Sequence, residues 1–244
     1  MALVWILGGI LAGSIGAVLA AGCLLWFGRT VRRRVLPLLV SYATGSLLGG
    51  AFLGLLPHAL AEKPARVLLP FVLAGILLFF ILEKLVIWRH CHVENCKVHS
   101  AAGPLIIIGD AVHNFADGVI IAAAFLTSID LGIAATLAVV AHEIPQEVGD
   151  FAVLLDSGYS PRRALVLNLA SSCSALAGGL LAYLSMRLMD VLIPYVLAVS
   201  AASFIYVAVA DLIPGLQQHG TAVRSVQQVL FVAFGAATIW LFHH

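Results

Sequence analysis

Eight apolar runs, each close to 20 residues or longer and separated by short polar connections, leave this 244-residue chain few ways to fold. They occupy approximately residues 2–28, 35–59, 67–88, 101–127, 131–155, 163–186, 192–216 and 226–243. About 20 apolar residues, rising 1.5 Å each as a helix, cross the roughly 30 Å hydrocarbon core of a bilayer. Composition agrees. Hydrophobic residues make up 62% of the chain and charged residues 10%, where a soluble domain carries about 25% charged residues. The expected fold class is all-α, a polytopic membrane protein with eight transmembrane helices forming a single transmembrane domain over residues 1–244. Connections this short leave no room for an attached soluble domain. The first run lacks a basic start, is too long for the core of a cleavable signal, and is followed at once by Arg29, Arg32, Arg33 and Arg34. It is expected to remain as a span.

Charge placement orients the spans. With the first connection in the cytoplasm, Arg29, Arg32, Arg33, Arg34, Lys84, Arg89, Lys97, Arg162, Arg163 and Arg224 fall inside, against Lys63, Arg66 and Arg187 outside. That is a positive-inside bias, and it puts both termini outside. The expected location is a plasma or inner membrane, or an organelle membrane, as an integral multi-pass protein. Eight of the nine prolines lie in loops or near span ends. Pro145 alone is mid-span, between Glu143 and Glu147, where it cannot bond the Ala141 carbonyl and is expected to kink the helix. In hydrocarbon that carbonyl needs water, a neighbour or an ion. The four cysteines, Cys23, Cys91, Cys96 and Cys173, show no disulfide pattern.

Two adjacent spans carry the chemistry. On the fourth, Asp110, His113, Asn114 and Asp117 fall at i, i+3, i+4 and i+7. On the fifth, Glu143, Gln146, Glu147 and Asp150 repeat that spacing, with His142 one turn before Gln146. Each set lies on one helix face. A charge in mid-bilayer costs roughly 2.5–3.5 kcal/mol, so such faces are expected to meet in a polar interior. Asn and His bonding between helices account for one or two of these residues. Five acids repel one another unless a cation or protons compensate. Imidazole with carboxylate suits zinc, ferrous iron or manganese, whereas an all-oxygen set favours magnesium or calcium. Asp117 and Glu143 suit either a single ion or a pair of ions bridged between them.

Three functions use residues of this kind: transport of a divalent metal, intramembrane zinc proteolysis, and proton-driven carriage of an organic solute. Proteolysis through an HExxH motif needs a second imidazole at position 146, where this chain has Gln. A proton relay uses the acids but leaves the clustering of His with carboxylate unexplained.

The motifs HNFADG from His113 to Gly118 and HEIPQEVGDF from His142 to Phe151 resemble the paired fourth- and fifth-helix motifs of the ZIP (Zrt-, Irt-like protein) metal transporters. The resemblance is strongest to the subfamily whose fifth helix reads HExPHExGD. The eight-span layout and YATGSLLGGAFLGLLPHAL from Tyr42 to Leu60 are similar as well. The resemblance implies uptake of zinc, or of iron, manganese or cadmium, toward the cytoplasm through a site between helices four and five. The metal is then substrate rather than cofactor, and the protein is not an enzyme. The partners implied are divalent metal ions and the lipid bilayer, with a homodimer through the scaffold and no nucleic acid. His113, Asn114, Asp117, His142, Glu143 and Gln146 stand where the family places its transport ligands. Asp110, Glu147 and Asp150 then belong to the transport path or to the surroundings of those ligands. The resemblance also implies an elevator-like motion of a four-helix bundle against a dimerising scaffold.

The chain departs from the pattern in two places. Gln146 replaces the usual His, which removes an imidazole and tilts preference toward harder ions. Gly50 and Gly54 stand where many members carry Asp and His, which implies a less decorated entrance. The chain also lacks the long extracellular domain of many animal relatives, which implies a minimal version. Elsewhere, residues 89–100 form a cytoplasmic loop rich in Cys and His. His90, Cys91, His92, Cys96 and His99 there are a short tract of the kind that holds metal. His58, at the outer end of span two, is placed either to meet incoming metal or to bond at the interface. Asp211 lies late in span seven. Gly45, Gly49, Gly50 and Gly54, and on span six Ser174 with Gly178 and Ala175 with Gly179, show small residues at four-residue spacing, a pattern of close helix packing.

Overall fold

The structure is a computed structural model that describes residues 2–88, 102–188, 190–217 and 222–243. The described residues form helical rods, here α1 (Ala2–Trp26), α2 (29–62), α3 (Ala65–Trp88), α4 (Ala102–Thr127), α5 (Ile129–Asp156), α6 (161–188), α7 (Ile193–Gln217) and α8 (Ala222–His243). Helices lie over the expected runs, with ends that differ by as much as the six residues between position 29 and position 35 at the start of α2. Sharp starts have local causes. Ser128 caps α5 by accepting a hydrogen bond from Leu131 N at 3.1 Å. Ser160 caps α6 through Arg163 N, with Pro161 at the first helical position.

Among the described residues, seven helical segments are long and apolar enough to cross a membrane. The protein is an all-α, multi-pass integral membrane protein. The rod outside those seven is α5, which is 28 residues long but has His142, Glu143, Gln146, Glu147 and Asp150 in its second half. Leu69, Leu73, Leu77 and Ile81 of α3 and Val229, Leu230, Phe234 and Leu241 of α8 are exposed, as suits faces turned to lipid. Trp5 and Trp240 are exposed near one end of the rods and Trp26 near the other, in keeping with interfacial aromatic belts.

The rods pack as two groups of four, α1, α4, α5 and α6 in one and α2, α3, α7 and α8 in the other. Small residues close the seams within each group. A Cβ on Gly118 of α4 would lie 2.0 Å from the Ala175 carbonyl oxygen of α6, and one on Gly178 would lie 2.1 Å from that of Phe115. Across α2 and α8, a Cβ on Gly45 would lie 1.9 Å from the Val232 oxygen and one on Gly235 2.2 Å from that of Tyr42. Backbone rests on backbone at these points, so any side chain must push the helices apart. Between the groups the contact is made by side chains. Leu47 and Ala51 of α2, Ala134, Ala135 and Ala138 of α5, and Ala201, Ala202 and Phe204 of α7 are buried in one apolar core.

Three rods contain π-helical turns, at Ala12–Gly16, Gly50–Leu55 and Val207–Leu212. Two of these precede prolines at the same offset, with Pro57 and Pro214 each two residues past the turn. A proline ring clashes with the carbonyl four residues back, here that of Leu53 or Ala210, and both lie inside a wide π turn where the ladder has already shifted. The α5 helix is unbroken over Pro145. By contrast, α6 is interrupted at Cys173, between Pro161–Ser172 and Ser174–Leu188, which the sequence pattern did not indicate.

Candidate metal centre

Helices α4 and α5 are joined through Ser128 and pack along their length, so the two polar faces meet in the interior. His113 and His142 bring their Nε2 atoms to 3.0 Å. His142 Nε2 is 3.2 Å from Asp117 Oδ2 and 3.7 Å from Glu143 Oε1. His113 Nε2 is 3.4 Å from Glu143 Oε1 and 3.7 Å from Asp117 Oδ2. One donor atom from each of the four residues falls within 4.8 Å of all the others. Asp117, His142 and Glu143 are buried.

The tautomer of His142 follows from its other nitrogen. Nδ1 sits 3.0 Å from the Ala138 carbonyl oxygen. A carbonyl only accepts, so Nδ1 carries the hydrogen, and in the neutral ring Nε2 turns its lone pair into the cluster, where it accepts across the 3.0 Å contact with His113 Nε2. Asp117 Oδ2 and both Glu143 oxygens are buried without a hydrogen-bond donor. Two imidazole nitrogens and two carboxylates thus converge. For bonds of about 2.0–2.1 Å to zinc, tetrahedral ligand atoms are separated by about 3.3 Å, and the spacings of 3.0 to 3.7 Å bracket that value.

A second group adjoins the first. Asp110, Glu143 and Glu147 are all buried and present carboxylate oxygens that also converge within 4.8 Å. Glu143 belongs to both groups, while Asp110 Oδ2 and Glu147 Oε2 lack donors. Asn114 is turned to this side, donating from Nδ2 to Asp110 Oδ1 at 2.9 Å. Gln146 is half-buried and lies beside Asp110. Asp150 is half-buried a turn further along. The nine expected residues therefore divide into a mixed His/carboxylate group, a carboxylate group, and Asn114, Gln146 and Asp150 around them.

A cavity of about 1260 Å³ runs between α3 and α7 on one side and α4 and α5 on the other. His113, His142, Asp110, Pro145, Gln146 and Asp150 form one wall, and Glu83, Ser203, Tyr206 and Asp211 the other. The Tyr206 hydroxyl donates to Glu83. Beyond His142, toward Ala138, the path is filled by the apolar core between the helix groups, and Phe204 sets its ring edgewise to His142 at 6.3 Å. His58 bonds the Gly54 carbonyl oxygen through Nδ1 at 3.1 Å. The Cys/His tract with His90, Cys91, His92, Cys96 and His99 lies outside the described residues.

A family model described as ZIP Zinc transporter matches residues 88–243, which include both polar faces. The chain belongs to the ZIP family. Similar ZIP proteins include zinc transporter ZIP13 of Pongo abelii, 33% identical over 219 residues that cover 84% of this chain and 66% of the relative. Human zinc transporter ZIP4 is 48% identical over 112 residues, 46% of this chain and 17% of that protein. ZIP10 of Danio rerio is 42% identical over 116 residues, 48% of this chain and 14% of the relative.

The sequence pattern on α6 drew out the small residues from Ser174 to Gly179 and missed a polar face just before them. Ser172 Oγ donates to Glu147 Oε1 at 3.4 Å, Ser171 lies beside Asp110, and Asn168 is buried on the same helix face. The spacing of these three, i, i+3 and i+4, was available in the sequence. Uncharged Ser and Asn at that spacing are too common in membrane helices to stand out.

Proposed function

We propose that this ZIP protein is an eight-span carrier that takes a divalent metal ion, zinc foremost, into the cytoplasm. The ion binds among His113, Asp117, His142 and Glu143, and the carboxylate group of Asp110, Glu143 and Glu147 offers a second position. The observation that carries this reading is the convergence of His113, Asp117, His142 and Glu143 within 4.8 Å, with buried carboxylate oxygens that have no donor. Left unneutralised, such a group is costly to bury, and a divalent cation compensates it.

Each residue then has a task. His142 is fixed by the Ala138 carbonyl, as an imidazole ligand is by its outer hydrogen bond. Glu143 serves both positions. Gln146 and Asp150, at the cavity wall, receive the ion on its way out.

Direction is supported by the packing. Contacts pair α2 with α8, α3 with α7 and α4 with α6 in parallel, and α2 with α7 in antiparallel, as eight alternating crossings require. The cavity is lined from Phe71, Leu192 and Tyr195 toward one end of the rods to Asp211 and Gly215 at the end where Arg34, Lys84 and Arg162 sit. The positive-inside bias makes that end cytoplasmic. The arrangement suits a carrier with both termini outside. Iron, manganese and cadmium are secondary substrates on this reading, and a homodimer is the expected assembly.

Time-resolved uptake into proteoliposomes tests the proposal. Wild-type protein is expected to accumulate zinc and cadmium. Gln146→His adds an imidazole beside the site and is expected to tighten apparent zinc affinity about tenfold while leaving manganese little changed. Absence of flux for zinc, cadmium, manganese and ferrous iron in folded protein would refute the transporter reading.

A further inference from the structure

Asn168 of α6 is fully buried, and neither its side-chain oxygen nor its side-chain nitrogen has a hydrogen-bond partner. An amide in that position loses its hydration with no replacement, which natural proteins rarely tolerate. Ser171 and Ser172 share its helix face, and they lie beside Asp110 and bond Glu147 respectively. Those two acids hold the unpartnered Oδ2 and Oε2 of the carboxylate group. On the cytoplasmic side the bundle is closed by Val18, Phe151, Leu154 and Ala164, which form a separate apolar cluster. Polar company for the Asn168 amide therefore lies in the direction of the acids.

We propose that Asn168, with Ser172, is the α6 wall of the second cation position, its side-chain carbonyl facing the ion together with Asp110, Glu143 and Glu147. The proposal rests on the metal-transport reading above and assigns this position a chemistry of its own. Asp110, Glu143, Glu147, Asn168 and Ser172 supply only oxygen, a donor set that prefers hard cations such as manganese or magnesium to zinc. The two positions thus differ in what they hold. The mixed group takes an imidazole-binding ion and the α6-walled pocket an oxygen-binding one.

The test uses the full chain in detergent, loaded with one equivalent of zinc and titrated with manganese(II) under electron paramagnetic resonance. Wild type is expected to bind one manganese. Asn168→Leu should weaken that binding by about tenfold or more while zinc affinity changes less than about threefold. Asn168→Asp should keep or tighten the manganese site. Ser172→Ala removes one hydroxyl and is expected to weaken manganese by about threefold. It carries the test if the leucine variant does not fold.

A purely packing role for Asn168 predicts a changed melting temperature with manganese binding as in wild type, and that result overturns the proposal. Zinc binding without manganese binding in wild type overturns it too and leaves the transport reading intact. Folded wild type that binds neither metal overturns both.

Discussion

Glu143→Ala is expected to abolish zinc uptake, with a loss of at least about 100-fold at matched abundance in the membrane. Glu143 is the residue shared by both converging groups, so its removal takes a donor from each position at once. The same change should not unfold the protein. Glu143 sits fully buried near Asp117, Asp110 and Glu147, and removing one of several close carboxylates relieves like-charge repulsion. A thermal melt separates these effects. Without metal, the midpoint should be equal to or above that of wild type. With zinc at 100 times the wild-type dissociation constant, wild type gains about 2.7 kcal/mol from ligand binding, and the variant should gain almost none. Retained uptake in folded Glu143→Ala would show that the ion passes elsewhere.

Gly118→Val is expected to disrupt the helix group that holds the site. Even the first carbon of a side chain there would lie 2.0 Å from a backbone oxygen of α6 and 2.9 Å from the Ala175 Cα. No flexible side chain is available to move aside. The helices must separate, which costs about 1–3 kcal/mol or more and draws α6 away from Glu147. Gly149 on α5 is the control, because a Cβ there meets nothing within 4 Å. Gly149→Ala is expected to be neutral or to stabilise by about 0.5–1 kcal/mol through helix propensity. Equal melting temperatures for the Gly118→Val and Gly149→Ala proteins would refute the tight seam.

The rods were legible in the sequence because the physics that sets them is local. Apolar length fixes each helix, and the polar connections fix where it stops. The two polar faces were legible for the same reason, since i, i+3, i+4 and i+7 place Asp110, His113, Asn114 and Asp117 together whatever the tertiary fold. The division of labour among those residues was not. That Glu143 serves two groups while Asn114 turns to Asp110 depends on how α4 and α5 are rotated against each other, which spacing leaves open. The π turns and the interruption at Cys173 escaped as well. They are adjustments of the hydrogen-bond ladder to neighbouring helices, and apolar sequence looks alike on either side of them. On α6, Ser171 and Ser172 carry no charge, and their acidic neighbours on α4 and α5 come into view only in three dimensions.

The matched joints in α2 and α7 bear on where direction resides. Two antiparallel helices carry the same wide turn followed by proline at the same offset, the kind of correspondence that inverted repeats produce. A frame made of halves turned head to tail looks much the same from either face of the membrane, so it has no intrinsic front or back. Asymmetry must come from what is added to it: the basic residues gathered at one end and the acids that step from Glu143 to Asp150 toward that end. On this view the polarity of the molecule is inscribed by a small number of charged side chains on a framework that is itself indifferent to direction.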